Sequence, residues 1–171
     1  MAELPAVPPA THVTPPNDVR AGALDAVDRH LVRLLQEDGR LPNNALAAAV
    51  GIAPSTCLSR VRALRRAGVI RGFHADVDPG ALGRGLRAMV AVRMAAGSRA
   101  TLEPFARSIA GRPEVLDVYF LAGADDFLLH VAVHDTDELR RFVVERLSDR
   151  PDVASTETSL VFDHLRGAVG G

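Results

Sequence analysis

The chain has 171 residues, of which 47% are hydrophobic, and a formal net charge of −1, which is enough for one ordinary domain or two small ones. Its single cysteine excludes an internal disulfide and a paired-cysteine redox or metal site. The apolar stretches are too short to cross a bilayer and the N-terminus lacks a signal-peptide pattern, so we expect a cytoplasmic protein without membrane contact.

The first 22 residues are predicted to form a disordered tail. Prolines recur there among Ala, Val and Thr without helical or strand periodicity. Such a segment buries too little apolar surface to offset the entropy lost on ordering. We therefore expect the folded chain to begin at about residue 23.

Three short helices are predicted within residues 23–75. The first has an apolar stripe at helical spacing, formed by Leu24, Val27, Leu31, Leu34 and Leu35. The second covers about residues 44–50, and the third begins at Pro54, since proline is favoured at the first helical position. Each helix is ended by a glycine, namely Gly39, Gly51 and Gly68. This arrangement predicts a winged-helix-like helix-turn-helix domain, with a short extended piece at residues 69–75.

Residues 87–165 are predicted to form a ferredoxin-like domain after a linker at residues 76–86. The periodicity follows the order strand, helix, strand, strand, helix, strand, which is the βαββαβ arrangement. The strands are expected at residues 88–94, 115–122, 127–133 and 153–162. Asp135 and Glu138 have capping-box spacing at the start of the second helix of this domain. With a short tail at residues 166–171, the fold class is α+β.

The outward face of the third helix is rich in arginine. The inward side is assigned to Cys57, Leu58, Val61 and Leu64. The remaining small hydroxyl residues and arginines fit the major groove of double-stranded DNA, because arginine donates two hydrogen bonds to a guanine edge. The predicted DNA-binding residues are Ser55, Thr56, Ser59, Arg60, Arg62, Arg65, Arg66 and Arg71. Arg60 and Arg62 are expected to read bases, whereas Arg65 and Arg71 are expected to meet phosphates.

Charge is divided unevenly along the chain. Residues 1–75 have a net charge of +3, whereas residues 76–171 have −4. A polyanion is therefore attracted to the first part and not to the second, which favours nucleic acid as the partner of the helix-turn-helix domain. The alternative is a solvated basic face on an ordinary helical domain.

Two stretches resemble the Lrp/AsnC family of bacterial and archaeal transcriptional regulators. They are LDAVDRHLVRLLQEDGRLPNNALAAAVGIAPSTCLSRVRALRRAGVIRGFHADVDPGALG and PEVLDVYFLAGADDFLLHVAVHDTDELRRFV. The resemblance implies an N-terminal DNA-binding domain and a C-terminal ferredoxin-like domain that dimerises and binds a small effector, usually an amino acid. It also implies that dimers assemble into larger rings.

The turn GADDF at residues 123–127 is the candidate effector site. In the family the corresponding turn usually reads Gly-Asp-Tyr-Asp before an aromatic residue and lies beside the effector pocket. Gly123, Asp126 and Phe127 match that pattern, while Ala124 and Asp125 depart from it. The resemblance implies that these five residues bind the effector. A plain hairpin turn is the alternative, because Gly and Asp are common in turns for backbone reasons.

Two helix starts depart from the family pattern. Ala53 stands where a Ser-like residue usually caps the third helix, and a lost cap costs about 1 kcal/mol. Pro42 stands where the second helix is usually capped, and the neighbouring Asn43 is expected to serve instead. If the DNA-binding domain is vestigial, the chain is an effector-binding assembly protein.

No catalytic residue, metal site or cofactor is predicted. His130 and His134 lie on one strand and are too far apart along it to chelate one ion. Cys57 is expected to be a small buried residue. An enzyme on the same scaffold, related to haem-pathway decarboxylases, is the remaining alternative, and the basic third helix argues against it.

Overall fold

The computed structural model describes residues 24–165, which divide between Asp76 and Val77 into two compact units. The tails predicted at residues 1–22 and 166–171 lie outside the described residues. No helix within residues 24–165 has the length and apolar character needed to cross a membrane.

The first unit, called the helical unit below, consists of α1 (Ala26–Glu37), α2 (Asn43–Val50) and α3 (Pro54–Arg66). Asp25 caps α1 by accepting a hydrogen bond from the backbone N–H of Asp28 at 2.8 Å. Gly51 ends α2 in the left-handed conformation, with φ +72°, as is common for glycine after a helix. The core of this unit is aliphatic, and its fully buried members are Leu31, Leu46, Ala47, Cys57 and Leu64.

The starts of α2 and α3 lack side-chain caps. Pro42 and Ala53 occupy the N-cap positions and accept no capping hydrogen bond through their side chains. Asn43 is the first residue of α2, and its side-chain amide donates to the carbonyl oxygen of Pro54 at 2.9 Å. The prediction that Asn43 caps α2 is therefore wrong, because its side chain links the start of α2 to the start of α3.

The segment after α3 is not a strand. Residues 67–79 contain turns and irregular backbone. The backbone N–H groups of Val69 and Ile70 both donate to the carbonyl oxygen of Leu64, and their side chains pack against the helical core. The extended piece predicted at residues 69–75 therefore begins with a turn onto α3 at Val69 and Ile70, and residues 71–75 form no helix or strand.

The second unit, called the sheet unit below, has the predicted βαββαβ order. A 3₁₀ turn at Gly80–Leu82 precedes β1 (Leu86–Met94) and α4 (Leu102–Ala110), and then β2 (Val115–Phe120) and β3 (Phe127–Val133) follow. The last elements of the unit are α5 (Thr136–Val143), a π-helical turn at Val144–Ser148, and β4 (Val153–Val161). The four strands are antiparallel in the order β2-β3-β1-β4, which is the ferredoxin-like arrangement.

Alternation along the strands directs one face of the sheet toward α4 and α5. On β1 the inward residues are Ala88, Val90, Val92 and Met94, since successive side chains point to opposite faces. The alternate positions carry Arg87, Met89, Ala91 and Arg93 on the other face. The inward face and the two helices enclose the larger core, in which Phe105 and Phe127 have their ring centroids 5.0 Å apart.

The capping box predicted at the start of α5 is present in a shifted form. Asp135 accepts from the backbone N–H of Glu138 at 2.8 Å, and this hydrogen bond lowers the pKa of the Asp135 carboxyl. The Glu138 carboxylate accepts from the backbone N–H of His134 at 2.7 Å, one residue before the cap. Two backbone N–H groups at this helix start are therefore satisfied by local side chains.

Candidate nucleic-acid interface and effector turn

Helix α3 buries one side and exposes the other. Cys57 and Leu64 are 0% and 4% exposed and lie in the helical core. The opposite side consists of exposed residues that share one outward line, namely Ser55, Ser59, Arg62 and Arg66. We call these four residues the α3 ridge. Burial raises the pKa of the Cys57 thiol, which keeps it protonated and packed among aliphatic side chains.

The ridge is cationic and narrow at its start. The two small hydroxyl residues Ser55 and Ser59 lie near the beginning of α3, while the arginines lie further along it. Within residues 24–165 neither Arg62 nor Arg66 has an ion-pair partner, so both guanidinium groups keep their donors for another molecule. Five N–H donors per guanidinium suit base edges and phosphates alike.

The other predicted DNA-binding residues flank the ridge. Thr56 is exposed on the neighbouring line of α3. The guanidinium of Arg65 lies over the ring of Phe73, 5.9 Å from its centroid, within the range of a cation–π contact. Arg71 is exposed in the segment after α3.

Arg60 differs from the other arginines of this set. Its Nη1 donates to Oδ2 of Asp25 at 2.7 Å and to Oδ1 of Asp28 at 2.9 Å. These two carboxylates lie at the start of α1, so the guanidinium is held against that end of α1. Arg60 is therefore ion-paired within the helical unit, and its expected reading of bases stays a prediction.

The candidate effector site at residues 123–127 is bonded to β1 through Asp126. The Asp126 carboxylate accepts from the backbone N–H of Met94 at 2.7 Å, and the Asp126 N–H donates to the carbonyl oxygen of Val92 at 3.0 Å. The pairing of β1 with β4 shifts register between Arg93 and Met94. Asp126 therefore satisfies a backbone N–H at an irregularity of the sheet, which is a structural role that its turn position alone does not reveal.

The other residues of the turn differ in their access to solvent. Gly123 and Ala124 are exposed, and Asp125 is half-buried, with Oδ1 3.8 Å from Nε of Arg93. Phe127 is only 1% exposed, and its ring packs against those of Phe105 and Phe120. Phe127 therefore belongs to the core of the sheet unit, and its expected direct contact with an effector does not fit this burial.

The two histidines face different partners. The ring of His130 lies 3.2 Å from a carboxylate oxygen of Asp117, whereas the ring of His134 lies 3.0 Å from the carbonyl oxygen of Gly83. Among the described residues no three His, Cys, Asp or Glu side chains converge as metal ligands.

Several residues that organise the sites were missed by sequence reasoning. Asp25, Asp28 and Asn43 hold α3 through side-chain hydrogen bonds. One signal was available, because Asp25 and Asp28 lie beside the first residues of the α1 apolar stripe with the spacing of a helix cap. The bond from Asn43 to Pro54 has no such signal, since it depends on the turn between two helices.

Comparisons with known proteins agree with this geometry. Residues 24–65 match the AsnC-type helix-turn-helix domain, and residues 87–167 match the Lrp/AsnC ligand binding domain. The chain is 57% identical, over 90% of its length and 90% of the relative, to the HTH-type transcriptional regulator AldR of Mycolicibacterium smegmatis. It is 39% identical, over 85% of its length and 93% of the relative, to the leucine-responsive regulatory protein of Rhizobium meliloti.

Solved structures give the same result. The crystal structure of MtbAldR has a TM-score of 0.77 and 50% identity, and the match covers 87% of this chain and 99% of that one. A transcriptional regulator of Neisseria meningitidis in complex with L-Met has a TM-score of 0.77 and 32% identity, over 85% of this chain and 94% of that one. These relatives are regulators and not enzymes. The chain belongs to the Lrp/AsnC family of helix-turn-helix transcriptional regulators.

Proposed function

We propose that the α3 ridge reads specific DNA sequences in the major groove. The observation that carries this proposal is the exposure of Ser55, Ser59, Arg62 and Arg66 on one line of a helix whose other side is buried. A recognition helix needs such a line, because base edges are read by side chains that project into the groove. Arg65 and Arg71 contact phosphates at the borders of the α3 ridge. A regulator that binds DNA in this way works in the cytoplasm.

The outward face of the sheet supports dimerisation of two copies. It combines apolar side chains such as Met89, Ala91 and Leu128 with Arg87 on the same face and Glu157 on the neighbouring strand. Mixed charge around an apolar centre suits an isologous interface, in which the same surface meets itself about a two-fold axis. A two-fold dimer brings two ridges to two half-sites about one helical turn of DNA apart, and dimers assemble further.

The turn at residues 123–127 supports binding of an amino acid. Asp125 and Asp126 place two carboxylates at one edge of the sheet unit, and carboxylates attract the ammonium group of an amino acid. Gly123 and Ala124 leave this edge open to solvent. The regulator of Neisseria meningitidis, crystallised with L-Met, supports an amino acid as the effector class. Phe127 contributes from beneath, as part of the core against which the turn rests.

Selection of duplexes from a random-sequence pool by the wild-type chain tests the DNA-binding proposal. Arg62→Ala is expected to cost about 1–3 kcal/mol on the selected duplex and to relax preference at one base pair. Arg65→Ala is expected to weaken selected and random duplexes equally, since phosphate contacts carry no sequence information. Binding isotherms on both duplexes measure the two losses.

Arg140→Ala, an exposed arginine on α5, is the control and leaves both affinities unchanged. Equal losses from Arg62→Ala on both duplexes contradict base reading by the ridge. Recovery of no preferred duplex favours the effector-binding assembly protein with a vestigial helix-turn-helix domain.

Substitution of Asp126 by asparagine tests the effector proposal. The Asn side chain keeps an oxygen that can accept from the Met94 N–H, and it removes the charge. The amino acid that raises the melting temperature of the wild-type chain, found by screening amino acids, is therefore expected to lose its stabilising effect. Affinity for the selected duplex in the absence of effector is expected to stay unchanged.

Asp149→Asn, which removes an exposed carboxylate at the end of the π-helical turn, serves as the control and keeps the thermal response. Titration calorimetry of the same amino acid gives its affinity directly. An unchanged affinity in the Asp126→Asn variant excludes this carboxylate from the effector site.

A further inference from the structure

Arg60 is the single arginine of the predicted DNA-binding set that is ion-paired within residues 24–165. It contacts Asp25 and Asp28 through the same Nη1 atom, at 2.7 and 2.9 Å. Its side chain is 33% exposed, and that of Asp28 is 20% exposed. These three residues, called the Arg60 network, join the middle of α3 to the first turn of α1.

The position of Arg60 around α3 explains this contact. At about 100° per residue, Arg60 lies about 60° from the direction of the buried Cys57, whereas Arg62 lies about 140° away. Arg60 therefore borders the buried side of the helix, while Arg62 belongs to the exposed side. If α3 rotated so that Arg60 faced DNA, the buried Cys57 and Leu64 would leave the helical core.

The two carboxylates are themselves fixed. Asp25 is the N-cap of α1 and accepts from the N–H of Asp28, and both acids lie at the positive end of the α1 dipole. The backbone N–H of Asp28, and then the Arg60 guanidinium, hold the pKa of the Asp25 carboxyl below its ordinary value. The network thus pairs an arginine with a cap carboxylate, that of Asp25, which stays ionised at neutral pH.

Besides the packed side formed by Cys57, Val61 and Leu64, polar contacts fix the orientation of α3. Ala53 provides no side-chain cap, and only Cys57 and Leu64 of this helix are fully buried. The hydrogen bond from Asn43 to Pro54 holds the start of the helix, but a contact at one end does not prevent rotation about the axis. The Arg60 network provides a second polar attachment, at position 60 of the same helix.

We propose that Arg60 is a positioning residue that acts through Asp25 and Asp28: the Arg60 network sets the rotation of α3 against α1 and so aims Arg62 and Arg66 at base edges. Arg60 itself does not contact DNA in this arrangement. The inference rests on the proposed reading of DNA by the α3 ridge and assigns the task of orientation to residues outside that ridge.

Removal of the acids separates positioning from direct contact. The double variant Asp25→Asn/Asp28→Asn keeps a capping residue at position 25, since asparagine caps as well as aspartate, and it releases the guanidinium of Arg60. Positioning predicts that the ratio of affinities for the selected and random duplexes falls about tenfold, the order expected for one ion-pair network. Direct contact predicts the opposite sign, because a freed arginine and two fewer negative charges favour DNA.

Arg60→Gln completes a double-mutant cycle with the acidic variant. Positioning predicts that the combined variant loses no more than either part alone, since all of them break the same network. The salt dependence of binding is expected to stay unchanged in Arg60→Gln, whereas loss of a phosphate contact makes the negative slope of log K against log salt shallower by about 0.9. Arg62→Gln is the matched comparison: its effect is expected to be smaller in the acidic variant than in the wild type, because the broken network no longer aims Arg62 at a base edge.

Arg60→Lys provides the second test, and it replaces Arg60→Gln if that variant does not fold, as judged by circular dichroism. Lysine keeps the charge and is expected to retain most of the affinity ratio, with no change of preference at any single base pair. Loss of preference at one base pair in Arg60→Lys, or tighter selective binding in the acidic variant, overturns the inference. If Arg62→Gln in the wild-type background leaves the ratio of affinities unchanged, the proposed reading of DNA by the α3 ridge fails. That outcome is distinct from failure of the positioning role of Arg60.

Discussion

The helical unit and the sheet unit hold their parts together in different ways. Among the described residues, thirteen form the buried cluster of the sheet unit and five form that of the helical unit. In the sheet unit, hydrogen-bonded strands fix the position of each inward side chain. In the helical unit, side-chain bonds between helices, from Asn43 and Arg60, supplement a small core. The stability of the sheet unit should therefore be most sensitive to substitutions in its packed core. The stability of the helical unit should be most sensitive to substitutions in its turns and polar contacts.

The largest effect is expected from a core substitution in the sheet unit. Phe105 is fully buried, beside Phe127 and beneath the guanidinium of Arg150, which lies 5.0 Å from its ring centroid. Phe105→Ala is expected to lower the free energy of unfolding by about 3–5 kcal/mol, because the cavity adds to the lost transfer energy. Urea unfolding followed by circular dichroism measures this loss.

The exposed Ser108 on the same helix provides the control, and Ser108→Ala is expected to stay within about 0.5 kcal/mol of the wild type. A loss below about 1 kcal/mol in Phe105→Ala would show that the sheet unit does not depend on this packing, and the contrast between the units would then disappear.

A smaller effect is expected from a glycine of the helical unit. Gly51 has φ +72° at the end of α2, a conformation that costs a residue with a Cβ about 1–2 kcal/mol. Gly51→Ala is therefore expected to lower the free energy of unfolding by that amount, although no atom lies within 4 Å of the added Cβ. The same urea titration measures it.

Gly111, after α4 in the sheet unit, is the matched comparison. Its φ is −80° and the nearest atom to an added Cβ is 3.7 Å away. Gly111→Ala is expected to be neutral or to stabilise by about 0.4–1 kcal/mol. Equal destabilisation by the two substitutions would contradict the role assigned to the left-handed turn.

The smallest effect is expected in the dependence of folding stability on acid pH. The pKa of Asp25 is lowered in the folded chain, first by the Asp28 N–H and then by Arg60. A carboxyl with a lowered folded pKa stabilises the fold above its unfolded pKa of about 3.9, and this stabilisation is lost as the pH falls through the folded pKa. Asp25→Asn is therefore expected to flatten the decrease in stability below about pH 4.

Urea midpoints at a series of pH values measure this dependence. In the sheet unit, Arg150 lowers the pKa of Asp152 in the same direction, so Asp152→Asn should flatten the same part of the curve. An unchanged pH dependence in Asp25→Asn would mean that the Arg60 network contributes no proton-linked stability.

Much of the fold could be predicted from local patterns. β3 begins and ends where its apolar run does, at Phe127 and Val133. β2 was predicted to extend to residue 122 but ends at Phe120, because pairing stops at the Phe120–Phe127 pair and the Leu121 N–H donates to the Asp126 carbonyl to close the turn. Leu121 and Ala122 are apolar and so resemble a continuation of β2 in the sequence. Only the pairing with β3 shows that the strand ends before them.

The candidate sites were predicted less completely. The α3 ridge follows from helical periodicity, since four residues opposite the apolar stripe are exposed. Arg60 lies between the two faces, and in that position periodicity does not decide whether a side chain meets solvent or a neighbouring helix. Phe127 matched a family motif, yet the register of β3 against β1 turns it into the core.

The sequence by itself determined the order of the elements, the family and the direction of the exposed ridge, because spacing and composition act over a few residues. The tertiary structure alone decided the partners of Arg60, which lie 32 and 35 residues away, and of Asp126, whose bond to Met94 spans 32 residues. A charged side chain at the border of a buried face pairs with the charged or polar groups that lie near it on neighbouring elements of the folded chain. That neighbour is set by how helices and strands pack, and no local pattern encodes it.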